Sequence, residues 1–267
     1  MSFLSALGDG MVIARRNLIK VKRVPDVLVF VLLSPIMFVL LFAYVFGSAI
    51  DIPGGSYREF LMAGIFGQTV VFGATFTGAG LAEDMQKGII DRFRSLPMSR
   101  AAVVFGRTAS DVVYNIITLT IMAITGLIVG WRIRGSLLDA LAGFLLLLLF
   151  AYSVSWIMAL LGLSVPSPEV LNNASFIVIF PMTFVANTFV PVESLPTVLR
   201  VFAEWNPISS LVQATRELFG NIPPGTPEPA SWPLQNPVIY TVFWACMIIA
   251  IFAPLAVRRY IRVAKKS

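Results

Sequence analysis

Long uncharged runs alternate with short polar breaks along this chain. The runs cover about Val27–Ile50, Phe60–Ala82, Val112–Gly130, Leu137–Leu163, Asn172–Val190 and Val238–Val257. Each is near the ~20 residues that a helix needs to cross a ~30 Å hydrocarbon core. About 15 of the residues from Val27 to Phe46 are Val, Leu, Ile or Phe, worth about 4–9 kcal/mol of favourable insertion. The pattern predicts an all-α membrane protein with six transmembrane helices. The second run carries small residues four apart (Ala63 and Gly67, Gly73 and Thr77, Ala74 and Gly78). Such spacing lets backbones touch in lipid, so this span is expected to face protein.

Other segments are too short or too polar to span. Leu4, Leu7, Met11, Ala14, Leu18 and Val21 fall in one stripe about 100° wide, opposite Asp9, Arg16, Lys20 and Arg23. That predicts an N-terminal amphipathic helix over residues 1–25, lying in the membrane interface; a plain cytoplasmic tail is the alternative. Residues 191–237 form the longest stretch between spans. There Leu195, Val198, Leu199 and Phe202 share a face. Asn206 is placed to cap a second helix with Pro207 at its first position, and Gly220 to end it. Each piece is about 12 residues, roughly 18 Å, so the pair is expected to dip into the outer leaflet and return. A disordered external loop is the other reading.

Composition agrees with lipid as the solvent. The 267 residues are 57% hydrophobic and 13% charged, with a mean hydropathy of +0.84; soluble domains carry about 25% charged residues. The charge is unevenly placed. Six spans put Arg15, Arg16, Lys20, Lys22, Arg23, Lys87, Arg92, Arg94, Arg100, Arg107, Arg258, Arg259, Arg262, Lys265 and Lys266 on one side. The other side has only Arg58, Arg132, Arg134, Arg200 and Arg216. The positive-inside rule therefore puts both termini in the cytoplasm. The net charge of +6 is read as a topology signal, and nucleic acid is not an expected partner. The apolar run from Val27 is longer than the ~7–15 residues of a signal-peptide core, so no cleavable leader is expected.

Catalytic chemistry has few candidates. There is no histidine, and Cys246 is the single cysteine. That removes His-based triads, Cys-based zinc sites and intramolecular disulfides; no metal or cofactor site is expected in this chain. No G-x-x-x-x-G-K-[ST] phosphate loop occurs, so ATP binding of the usual kind is not expected either. The middles of the spans lack charge and Asp111 sits near an end, where Arg107 four residues away can pair with it. This leaves an ion-coupled secondary transporter as the weaker alternative.

Between the second and third spans, Met85, Ile89, Phe93 and Leu96 recur at helical spacing among Glu83, Asp84, Lys87, Asp91, Arg92 and Arg94, and Pro97 stops the helix. A short apolar ridge ringed by charge suits a groove on another protein, or equally the membrane surface. The run 83–100, reading EDMQKGIIDRFRSLPMSR, resembles the cytoplasmic coupling loop of ABC type-2 permeases, particularly the daunorubicin-resistance group of drug exporters. Val190-Pro191-Val192-Glu193-Ser194-Leu195-Pro196 and Trp205-Asn206-Pro207-Ile208 resemble that group too. The likeness covers essentially the whole chain as a single transmembrane domain, 1–267.

The resemblance implies a permease subunit of an exporter in a bacterial plasma membrane, moving a lipophilic or amphipathic drug, natural product or lipid. It implies that ATP and Mg bind a separate ABC ATPase, and that a second permease subunit completes the transporter. Glu83, Asp84, Met85, Gly88, Ile89, Phe93, Leu96 and Pro97 would form the ATPase-coupling element. Phe176, Phe180 and Phe184 recur every four residues of the fifth span, with Asn187 nearby; Phe72 and Phe76 pair in the second, with Gln68 and Thr69. In the family these spans line the substrate route, and an aromatic and hydroxyl lining suits a flat amphipathic molecule. Ordinary helix packing is the competing explanation for the same residues.

Overall fold

The structure is a computed structural model that describes residues 33, 35–46, 55–89, 102–223 and 225–266. The interfacial helix expected over residues 1–25 lies outside the described residues. Within them the chain is helical, with no strand. In order, the elements are α1 (Pro35–Val45), α2 (Tyr57–Gly73), α3 (Thr75–Gln86), α4 (Ala102–Val129), α5 (Leu137–Gly162), α6 (Pro168–Val185), α7 (Thr197–Trp205), α8 (Pro207–Leu218), α9 (Trp232–Gln235) and α10 (Pro237–Lys266). The last turn of α1 widens into a π-helix at Phe42–Phe46.

Four helical stretches are long and apolar enough to cross a membrane: Tyr57–Gln86, Val103–Val129, Leu137–Gly162 and Pro237–Val263. The first joins α2 and α3 across Ala74. Its core is 67% buried against 22% for the last, so the small-residue span does face protein. α5 is the hub, packing most extensively on α10 and then on α3. Small residues make that possible. A Cβ on Gly162 would lie 2.2 Å from the carbonyl oxygen of Gly78, and one on Gly78 2.5 Å from that of Met158. The two backbones are thus in direct contact, where dispersion between close-packed helices replaces the hydrophobic drive that lipid does not supply.

The helix ends follow local chemistry. Ser136 caps α5 by accepting from the Asp139 amide at 3.1 Å, and Ser167 caps α6 ahead of Pro168. Asn206 accepts from the Ile208 amide at 2.9 Å, with Pro207 opening α8. Gly220, at φ +69°, turns the chain out of α8. Pro181 sits inside α6 without breaking it.

Two expected boundaries move. The fifth apolar run was expected to be helical to Val190, but α6 ends at Val185 and Ala186 is extended. The reason is competition for backbone groups by α8. The Ser209 hydroxyl oxygen accepts from the Asn187 amide at 3.1 Å. Arg216 donates to the carbonyls of Asn187 at 2.6 Å and Thr188 at 3.4 Å. At the other end of the chain α10 runs on to Lys266, taking the basic tail into the same helix.

A buried aromatic group closes the end of the bundle where α4 turns into α5. Phe66, Trp131 and Phe219 meet edge to face, with centroids 5.3–5.9 Å apart. Trp131 Nε1 donates to Asn221 Oδ1 at 2.7 Å, and Asn221 Nδ2 donates to the Arg132 carbonyl at 2.8 Å. Arg134 pairs with Glu59 at 2.9 Å. Together these tie the α4–α5 turn to the ends of α2 and α8.

Candidate functional site: an aromatic cavity between four helices

The residues expected to line a route do converge. A cavity of about 380 Å³ lies between α2, α3, α4 and α6, with α1 at its rim. Gln68, Thr69 and Phe72 come from α2, Phe76 from α3, and Phe176, Phe180 and Phe184 from α6. Their spacing explains the convergence. Residues four apart on a helix share a face, so one side of α6 becomes a ladder of rings. Phe176 and Phe180 stack with centroids 4.9 Å apart, Phe180 and Phe184 at 4.1 Å. Phe72 closes toward Phe176 at 6.4 Å. The rings continue past the cavity, from Phe184 to Phe189 at 4.9 Å and on to Phe42 at 4.4 Å.

Asn187 is not part of this lining. The early end of α6 carries it away, and it binds α8 instead, donating from Nδ2 to Gln213 Oε1 at 3.2 Å.

The sequence reading missed one wall. Tyr114, Asn115 and Thr118 of α4 line the cavity, along with Gly73, Thr75, Pro35 and Phe38. Tyr114 packs against Phe76 at 5.7 Å. Gly73 leaves room for Asn115, since a Cβ there would lie 3.1 Å from Oδ1. Part of the signal was present: Tyr114 and Thr118 are four apart, and Asn115 beside them is a strongly polar position inside the third apolar run.

Asp111 meets the partner its spacing suggested, Arg107. It lies inside the Val103–Val129 stretch, buried, because the helix begins well before the uncharged run. Thr77 Oγ1 donates to one carboxylate oxygen, and the Arg107 guanidinium lies 3.9 Å from the other. Arg107 also donates to the Phe76 carbonyl at 2.7 Å. Asp111 and Arg107 thus staple α4 to α3 by polar contacts.

The element at the other end of α3 is described only in part. Lys87 donates to Glu83, which raises the lysine above its ordinary value of 10.5. Asp84 is buried, and Met85 packs on the cluster around Leu81 and Trp156. Gly88 then takes φ +64°. That left-handed residue ends α3 and starts a new direction at Ile89, so Met85 and Ile89 do not lie on one unbroken helix as their spacing suggested. Phe93, Leu96 and Pro97 lie outside the described residues.

Four helical stretches long and apolar enough to cross a membrane, with an aromatic cavity between helices, are the form of a multi-pass membrane protein. Residues 10–219 match the family model of the ABC-2 type transporter, and the chain belongs to that family. It is 34% identical to the daunorubicin resistance ABC transporter permease protein DrrB1 of Streptomyces coeruleorubidus, over 92% of this chain and 83% of that protein. It is 25% identical to a protein named as a transport permease, ycf38, of Porphyra purpurea, over 78% and 73%. It is 22% identical to a protein named as a doxorubicin resistance ABC transporter permease, DrrC, of Mycobacterium tuberculosis, over 70% and 64%. The chain is therefore a membrane subunit of the ABC exporter type.

Proposed function

We propose that this chain carries a lipophilic or amphipathic compound out of the inner leaflet or cytoplasm, through the cavity between α2, α3, α4 and α6. The observation that carries the reading is the convergence of Phe72, Phe76, Phe176, Phe180 and Phe184 with Gln68 and Thr69 on one cavity. Aromatic faces take up a flat apolar body while a few polar groups fix its orientation. The drug-resistance names of two relatives support a compound of that kind.

The energy comes from ATP, bound with Mg on a separate ABC ATPase. The segment from Glu83 to Pro97 docks on it, with Ile89, Phe93 and Leu96 as the apolar contacts and Gly88 as the turn that presents them. A second permease subunit, identical or related, completes the transporter. The first apolar run and α6 join the four long spans to make six, with both termini in the cytoplasm of a bacterial cell.

The test is copurification. A tagged chain is expected to bring down an ABC ATPase, and Phe93→Asp to weaken that capture and uncouple ATP hydrolysis from transport, because a charge replaces an apolar anchor. Undiminished capture by Phe93→Asp would remove this segment from the docking role.

A further inference from the structure

We propose that the turn between α4 and α5, with the apolar helix faces that run from it, binds an anionic phospholipid. The lipid comes from the leaflet at that end of the bundle, the outer one in the orientation proposed above. Arg58 and Arg132 meet its headgroup, and the exposed aliphatic side chains next to the turn meet its acyl chains. This surface is separate from the aromatic cavity, and the proposal does not depend on that cavity being the substrate route.

Basic residues are scarce on this side of the spans. Of the five that the six-span reading places there, Arg216 is buried, Arg200 pairs with Glu204 at 3.1 Å, and Arg134 pairs with Glu59 at 2.9 Å. The other two end on one short piece of chain, Leu127 to Trp131. Arg132 is exposed and donates from Nη1 to the carbonyls of Leu127 at 2.7 Å and Trp131 at 2.8 Å. Arg58 donates from Nη1 to the Val129 carbonyl at 3.0 Å and lies 5.1 Å over the Tyr44 ring. Neither has a carboxylate partner among the described residues. Carbonyls occupy one nitrogen of each guanidinium, and the other N–H groups of the fork suit a phosphate. The acid beside the turn, Asp139, accepts from the Ser136 hydroxyl at 2.7 Å. It lies about 160° around α5 from Leu141, away from the apolar face.

The surface leading away from the turn is apolar. Ile117, Ile124 and Ile128 fall within about 40° of one another around α4, and all three are exposed, Ile128 at 79%. From Ile117 to Ile128 the helix rises about 16 Å, close to one leaflet's half of a ~30 Å core. At the start of α5, Leu137 and Leu138 are 87% and 78% exposed, and Leu141 is exposed one turn on. Acyl chains of any phospholipid satisfy these side chains, so they do not select the headgroup. The two uncompensated guanidiniums do. Each basic group near a membrane surface favours an anionic lipid by roughly five-fold, whereas the choline cation of a zwitterionic lipid offsets its own phosphate.

The experiment reads which lipid sits at position 128. The full chain, with whatever subunits copurify, is placed in phosphatidylcholine nanodiscs. It carries Ile128→Cys labelled with a bimane, and Cys246→Ser removes the native thiol, which is exposed. Brominated phosphatidylglycerol or brominated phosphatidylcholine with the same acyl chains is added at equal mole fraction, and quenching of the bimane is measured. With both arginines present, phosphatidylglycerol is expected to quench as though enriched about five-fold or more over phosphatidylcholine. Arg58→Gln with Arg132→Gln is expected to bring the two lipids within about two-fold. Arg58→Lys with Arg132→Lys keeps the charge and is expected to retain about three-fold or more. Inorganic phosphate added at constant ionic strength is expected to leave the preference in place. Equal quenching by the two lipids with both arginines present would overturn the proposal, as would a preference that survives the glutamine pair. A lysine pair that behaves like the glutamine pair would assign the effect to the shape of the turn and also overturn it. Loss of the preference on adding phosphate would make this a free-anion site. Quenching by neither lipid would mean that another protein surface, such as a second copy of the chain, covers this face. Either result ends the lipid assignment.

Discussion

Arg216 Nη2 donates to the carbonyl oxygen of Asn187 at 2.6 Å, so a fully buried guanidinium on the short helix α8 holds the chain where α6 ends. The same side chain donates from Nε to the Phe60 carbonyl at 3.0 Å and lies 3.5 Å over the Phe60 ring. One residue therefore joins three elements: the start of α2, the end of α6 and α8. Replacing it by Met leaves buried carbonyls without donors. Arg216→Met is expected to cost about 3 kcal/mol or more, read as a lower midpoint in thermal unfolding of the detergent-solubilised protein. Arg216→Lys is expected to recover less than half, because an ammonium on a single stem cannot fan across three acceptors.

The α3–α5 contact makes a steric prediction. With the Gly78 carbonyl oxygen 2.2 Å from where a Cβ on Gly162 would stand, even a methyl forces the helices apart. Gly162→Ala is expected to destabilise by about 1–3 kcal/mol, and Gly162→Leu to prevent a folded yield. Normal yield and unfolding temperature for Gly162→Leu would show that the two backbones are not in contact.

Glu217 gives a pH dependence. Partial burial on α8 raises its carboxyl above the ordinary 4.5, opposed by the hydrogen bond from Gln213. The folded state thus holds this proton more tightly than the unfolded chain does. Its contribution is most favourable below the ordinary value and is lost as pH rises from there through the raised one. Glu217→Gln is expected to flatten the pH profile of thermal stability across that window. A variant whose profile parallels the parent's would assign the dependence to other groups.

Much of this was readable from local pattern, because the features concerned depend on neighbours in sequence. The Asn206-Pro207 start of α8, its stop at Gly220 and the four-residue phenylalanine repeat of α6 are of that kind. What escaped depends on helices distant in sequence. Arg216 looked like one more charge on an outer loop, yet α8 tucks it under α2. The pairing of Asp111 with Arg107 follows from their four-residue spacing, but the hydroxyl of Thr77 that donates to the same carboxylate comes from another helix. The Tyr114–Asn115–Thr118 wall exists only because α4 packs beside α2 and α3. Gly88 was visible as a glycine in the loop; its left-handed turn was the part that spacing alone does not carry.

The central claim is that the aromatic cavity is the path of an ATP-driven exporter. Its most direct test is ATP-dependent accumulation of a neutral planar fluorescent aromatic in inverted membrane vesicles, comparing the unaltered chain with Phe180→Ala at matched levels of copurifying ATPase. The account predicts ATP-dependent uptake by the parent and about a five-fold or greater loss in Phe180→Ala, equivalent to roughly 1 kcal/mol, with ATPase capture unchanged. Uptake at the parental rate by Phe180→Ala would contradict it.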